Sequence, residues 1–179
     1  MAEPVYICFY KKGGECIGGK TDTRPESKSD TDNTKVTGDK AVQCVAFSNS
    51  MWLPISKNDT KPTGDRVKGG IKITIDNNSP IVPHLYNSLT KGFQFEKVIC
   101  EFYTSEPNIH LQENKGAAKY YTVTGKTVTC TEIKPVIPDS YDPDKKHLPH
   151  LVQATLMYDD LEWQHTQGGF VQTDPPAAA

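Results

Sequence analysis

The chain reads as mainly β, a closed barrel or a sandwich, on three observations. About nine short apolar or alternating segments follow one another with turn signals at short spacing, the pattern of such folds. The apolar share is low at 36%, while turn formers are plentiful (13 Gly and 13 Pro), which suits strands joined by solvated loops. Only one stretch shows a full helical repeat of apolar residues with start and stop signals.

The first strand is Val5 to Tyr10, followed by the turn Lys11-Lys-Gly-Gly14. Residues 20–40 are almost entirely polar and bury too little apolar surface to offset their ordering entropy, so a long polar loop is expected there. Within it, Asp30-Thr-Asp32-Asn33 lacks the glycine and the distal glutamate of a calcium loop. Ala41 to Phe47 is a second strand, and Met51-Trp-Leu-Pro54 continues it after Ser48-Asn-Ser50. Another polar excursion, with turns at Pro62 and Gly64, leads to Ile71, Ile73 and Ile75, which alternate with Lys72 and Thr74.

The helix is expected over about 79–91. Ser79 is placed to cap it, Pro80 follows where a missing donor costs nothing, and Gly92 can close it in the left-handed conformation. Val82, Leu85, Tyr86 and Leu89 form one apolar stripe, and Lys91 suits the negative end of the dipole. Pro83 either removes one bond of the first turn or marks where the regular helix begins.

After the helix, Phe93 and Phe95 share one phase, and Val98, Cys100 and Phe102 the other, which predicts a β-bulge at Glu96-Lys97. Residues 106–117 read as loop, and Tyr120 to Glu132 as two strands hinged at Gly125. Pro135 to Pro149 reads as proline-rich loop. Val152, Ala154, Leu156 and Tyr158 alternate, and a slip at Asp159-Asp160 before Leu161 and Trp163 predicts a second bulge. Phe170 and Val171 make a short last strand, with residues 172–179 a frayed tail.

At 179 residues this is one domain spanning 1–179, large enough to bury roughly 70% of its unfolded surface without disulfide or metal. Net charge is −2, and only Arg24 and Arg66 are arginine, which argues against nucleic acid as a partner. No stretch approaches the ~18 apolar residues of a membrane span, so no membrane insertion is expected. The first residues carry no secretory leader, which predicts cytoplasmic synthesis without a signal peptide.

Five cysteines, Cys8, Cys16, Cys44, Cys100 and Cys130, are odd in number and form no close pair, and most sit in apolar runs as buried thiols. The sequence has no Gly-x-Ser-x-Gly, P-loop or dinucleotide fingerprint. Of the five histidines only His147 and His150 are close, and they flank a Leu-Pro pair in a loop rather than a helix turn. Asp160 and Glu162 can share one strand face, as a solvated or intersubunit acidic strand rather than a catalytic pair across a cleft. The reading is therefore no enzyme, no cofactor and no metal site.

Taken together, the segments Met1-Ala-Glu-Pro-Val-Tyr6, Gly13 to Gly19, Met51-Trp-Leu-Pro54 and Thr63-Gly-Asp-Arg66 begin a recognisable order. It continues with Ile75-Asp-Asn-Asn-Ser-Pro80, Leu85-Tyr86, Thr90-Lys-Gly92, Phe102-Tyr103, His150-Leu151, Tyr158, Leu161-Glu-Trp163 and Gly168-Gly169. In that order and spacing the chain resembles the Hcp family, the haemolysin-coregulated proteins that form the tube of the bacterial type VI secretion system. The resemblance implies a β-barrel of two antiparallel sheets with one α-helix packed alongside, assembled as a homohexameric ring. It further implies stacked rings, effector proteins in the lumen, spike and sheath components as partners, and secretion by the type VI machine. The extended loop of the family corresponds to Leu53–Lys68, which places the subunit interface at Leu53, Pro54, Thr63, Gly64, Asp65 and Arg66. A head-to-tail contact of this kind closes a ring, and Arg66 suits a charge-assisted bond across it. Two departures stand out: the 20–40 segment is longer than in the relatives, and a Pro-Ala tail replaces a more polar terminus. Alternative readings are a phage-type tail tube subunit and a β-sandwich carbohydrate- or protein-binding module with Trp52 or Trp163 as its platform.

Overall fold

The structure, a computed structural model, describes residues 5–18, 41–56, 61–62, 64–104, 118–137, 149–165 and 169–174. The strands among these are β1 (Val5–Tyr10), β2 (Cys16–Ile17), β3 (Val42–Trp52), β4 (Val67–Asp76), β5 (Phe95–Thr104), β6 (Ala118–Val136), β7 (Leu151–Met157), β8 (Asp160–His165) and β9 (Phe170–Asp174). The helix α1 spans Val82–Lys91. The expected 20–40 loop, Asp30 to Asn33, residues 106–117 and residues 175–179 lie outside the described residues.

Pairing is antiparallel throughout. The path β1-β3-β4-β7-β6-β5 returns to β1, so six strands close a barrel; β2 extends one edge and the β8–β9 hairpin extends β6. The two expected layers are thus opposite walls of one continuously bonded sheet. The interior is filled by Ile7, Phe9, Ile71, Ile73, Ile75, Phe95, Val98, Val123, Leu156 and Leu161, each at 1% exposure or less. β1 is buried on both faces, which accounts for its unbroken apolar run. Its outer face joins Tyr6, Cys8, Tyr10, Ala41 and Tyr103 in a second cluster, where Tyr6 meets the Tyr103 ring edge to face at 5.5 Å. Glu101 is buried there because Tyr103 Oη donates to it at 3.2 Å and Lys119 Nζ pairs with it at 3.3 Å.

The two expected bulges take another form. Interior positions change parity between Phe95 and Val98 on β5, between Gly125 and Val128 on β6, and between Tyr158 and Leu161 at the β7–β8 junction. Yet Phe95 pairs Val128 and Val98 pairs Gly125, while Cys130 pairs Leu156 and Gly125 pairs Leu161, so the register is unbroken across each slip. All three strands turn over along one line, and no inserted residue is needed because neighbours shift together. On that line Thr127 takes a left-handed φ of 51°, and Asp159 N–H donates to Lys126 O at 3.1 Å. True register shifts lie elsewhere: between Cys44 and Ala46, between Asn49 and Met51, between Phe102 and Tyr103, and between Cys130 and Glu132.

β3 runs unbroken through Ser48-Asn-Ser50, and β6 is a single strand of 19 residues rather than two hinged at Gly125. At Gly125 the barrel interior is full. A Cβ there would stand 3.1 Å from Val128 Cγ2 and 3.6 Å from Ile71 Cδ1. β6 also takes in Pro135, opposite Val152, where the expected loop had begun; among the described residues its other edge carries no strand there, which tolerates proline. β9 reaches Asp174, so the first residues of the expected tail are strand.

The helix begins at Val82, with Pro83 in its first turn, where the absent N–H is one the helix leaves unpaired anyway. Ser79 does not cap it: its Oγ donates to Gly18 O at 3.5 Å, its carbonyl accepts from Val82 N–H, and Ile81 precedes the helix with no side-chain cap. Gly92 closes the helix in the left-handed conformation with Lys91 before it, as expected. The buried face is Ile81, Val82, Leu85 and Ser88, joined to the barrel core, whereas Tyr86 and Leu89 of the expected stripe are 40% and 41% exposed.

Candidate assembly surface

β3 and β4 outrun the barrel together. Met51 pairs Lys68 and Trp52 pairs Val67; beyond them Ile55 bridges Pro62, and Ser56 N–H donates to Lys61 O at 2.8 Å. The result is a projecting two-stranded ribbon. At its root, Gly70 has φ 76° and lies so close to Leu156 O that a Cβ would stand 3.0 Å away, so the register shift there requires glycine. Lys68 Nζ donates to Asp159 O and lies 5.4 Å from the Tyr158 ring centroid, tying the root to the β7–β8 junction.

Where it stands free the ribbon exposes large apolar side chains beside the charged Lys61, Asp65 and Arg66. Trp52 is 54% exposed, Leu53 43%, Ile55 60% and Val67 37%. Of the expected interface residues, Leu53, Gly64, Asp65 and Arg66 are exposed on this ribbon, Pro54 is half-buried, and Thr63 lies outside the described residues. Sequence reading missed Trp52, Ile55 and Val67 as members. The signal was available in principle, since Trp52 continues the outward parity of Ser48 and Ser50. Other exposed apolar side chains among the described residues are Phe170 and Val171 on the edge strand β9, Tyr86 and Leu89 on α1, Val45 on β3 and Ile137 just beyond β6.

The outward side of β3, β4, β7 and β6 has the opposite character. Ser48, Lys72, Thr155 and Glu132 form one cross-strand row, and Ala46, Thr74, Gln153 and Lys134 the next. An open cavity of about 380 Å³ lies over them. Thr155 Oγ1 donates to Glu132 Oε2 at 3.0 Å.

Trp163 packs against the barrel core and offers no free platform. His150 is half-buried, and His147 lies outside the described residues. Among the described residues no three His, Cys, Asp or Glu are grouped to hold a metal, and no helix is long and apolar enough to cross a membrane.

The fold and surface define a class: a closed antiparallel barrel with one flanking helix, a projecting apolar ribbon and an uncovered edge strand. Solved structures place the chain within that class more narrowly, for its fold is that of the Hcp proteins. An Hcp protein is similar at 21% identity and TM-score 0.78, over 99% of this chain and 100% of its own. Hcp1 from E. coli EAEC 042 pathovar is similar at 21% identity and TM-score 0.73, over 97% of this chain and 99% of its own. The secreted protein Hcp3 from Pseudomonas aeruginosa is similar at 20% identity and TM-score 0.65, over 99% of this chain and 100% of its own. By sequence alone, no family model and no curated protein matches the chain.

Proposed function

We propose that this chain is the tube subunit of a type VI secretion system. Six copies close head to tail into a ring, rings stack into a conduit, and the conduit is expelled with effector proteins in its lumen. Spike and sheath components of the machine are its other partners. The observation that carries this reading is the ribbon, on a barrel that matches Hcp proteins over their whole length. Four large apolar side chains exposed on one ribbon are a standing cost unless another surface covers them. A patch that differs from the surface it meets is the requirement for a heterologous contact, and repeated rotation closes such contacts into a ring. The resemblance at Leu53–Lys68 makes the neighbouring copy the cover, with Arg66 at its rim. The outward rows of β3, β4, β7 and β6 support the same arrangement, because their mostly polar and charged side chains suit a wall that faces a wet channel.

The test is the mass of the purified chain at high concentration, with negative-stain images. Particles of six chain masses (19.8 kDa each) with a central hole support the tube. A chain that stays solitary, with no annular particles, sinks it.

A further inference from the structure

We propose that the open cavity on the outward side of β3, β4, β7 and β6 binds acidic peptide segments of another protein through Lys72 and Lys134. The inference deepens the tube reading, and rests on it for the cavity's position on the channel wall. It starts from an imbalance of charge. Lys72 and Lys134 are exposed and line the cavity, and the ammonium group of neither makes an ion pair or a hydrogen bond with the described residues. The carboxylate nearest them, Glu132, stands two residues before Lys134 on β6 and in the cross-strand row of Lys72, and it accepts from the Thr155 hydroxyl. Glu132 keeps its charge in that bond, so the cavity presents two cations against one anion, a net positive charge.

Geometry lets both cations serve one ligand. Lys72 faces Thr155, and Gln153 faces Lys134, so the two lysines stand two strands and one row apart. That is about 12 Å between their backbones, from a strand spacing of about 4.8 Å and a two-residue step of about 6.8 Å. Each flexible lysine stem can swing toward the other, so both ammonium groups reach a carboxylate held over Gln153 and Thr155. Ser48, Thr74 and Gln153 make no side-chain hydrogen bond of their own and remain to bind the peptide's backbone.

The lining also selects the class of partner. It has no aromatic ring to stack a base or a sugar apart from Phe47, which is turned into the core, and no arginine to grip a phosphate with two bonds. Exposed lysines are screened by salt, so one copy holds an acidic segment weakly. Repetition around a ring multiplies that grip, because a segment released by one copy meets the next at high local concentration.

The experiment uses a labelled hexaglutamate peptide, its uncharged Gly-Ser counterpart and a single-stranded oligonucleotide, each titrated against the full-length protein at low and at physiological ionic strength. Assembly state is followed in parallel by mass and by electron microscopy. The expected result is preferential binding of hexaglutamate, weakened by salt and weakened about tenfold or more in the double variant Lys72→Gln, Lys134→Gln. Glu132→Gln should tighten it. Equal binding by the double variant, or tighter binding of the oligonucleotide, would overturn the proposal. Lysine-dependent peptide binding by a chain that never forms rings would uphold the cavity's chemistry while refuting the tube, so the two failures are separable.

Discussion

Ser88 of the helix and Cys130 of β6 are joined across the barrel rim: the Cys130 backbone N–H donates to Ser88 Oγ at 3.0 Å, and that hydroxyl donates onward to Phe93 O at 2.6 Å. β6 leaves its pairing with β5 after Val128, so among the described residues no strand faces the N–H of Cys130, and the helix supplies the acceptor. Ser88 is 1% exposed, so nothing from solvent can replace it. Ser88→Ala should therefore cost about 1–3 kcal/mol, the usual penalty for leaving a buried donor unpaired. Urea denaturation checks this; an unchanged midpoint would mean that the helix seat relaxes to let water in.

The same contact shows what could be read in the sequence and what could not. The helix was legible from its periodicity and from Gly92, but not its buried side. Tyr86 and Leu89 belong to the apolar stripe, yet Ser88 is the residue that goes inside, because its partner lies 42 positions away. Strand alternation likewise revealed the phase slips at Glu96-Lys97 and Asp159-Asp160. One strand cannot show whether its neighbours slip with it, so a collective turn-over was read as two bulges. The excursion from Leu53 to Lys68 was visible as a stretch too polar and too long for its own chain to pack. The ribbon's apolar members Trp52, Ile55 and Val67 were not, since their exposure depends on β3 and β4 running past the barrel together.

Thr127 marks the line of the turn-over. A β-branched residue at φ 51° carries roughly 1–2 kcal/mol of backbone strain, and Thr127 is exposed with no side-chain bond to offset it. Glycine relieves the strain at an entropic cost of roughly 0.5–1 kcal/mol, leaving a net gain of up to about 1.5 kcal/mol. Thr127→Gly should raise the melting temperature by a few degrees. A lower one would show that the threonine contributes something its contacts do not reveal.

Leu85 and Leu89 sit one turn apart and test the orientation of the helix. Leu85 is fully buried, so Leu85→Ala should cost about 2–5 kcal/mol, while Leu89→Ala at a 41% exposed position should stay within about 0.5 kcal/mol. Equal losses would place the helix differently against the barrel.

Trp52 carries the assembly prediction. Its side chain is half in solvent within one chain, so Trp52→Ala should leave the melting temperature of a dilute monomer almost unchanged. Buried under a neighbour it would be an anchor of the kind whose loss costs about 2 kcal/mol or more per contact. Sedimentation across a concentration series should then show rings giving way to monomers at concentrations where the parent chain is fully assembled. Parent and variant rings of equal strength would remove the ribbon from the interface.

The buried thiols set the alkaline limit of the fold. Burial raises the Cys130 thiol from 9.0 to about 11, with a backbone bond to Glu132 O pulling the other way, and it raises Cys44 and Cys100 as well. A raised pKa means that the folded state holds its protons while the unfolded chain has begun to lose them. The contribution is thus complete below pH 9.0 and is lost as pH climbs from there through about 11. Urea midpoints measured on both sides of pH 9.0 should fall across that window, with no matching loss just below it. Replacing Cys130 with alanine should lower stability at every pH by emptying a buried site, yet flatten the alkaline fall. If the variant declined as steeply as the parent, the alkaline limit would belong to other groups.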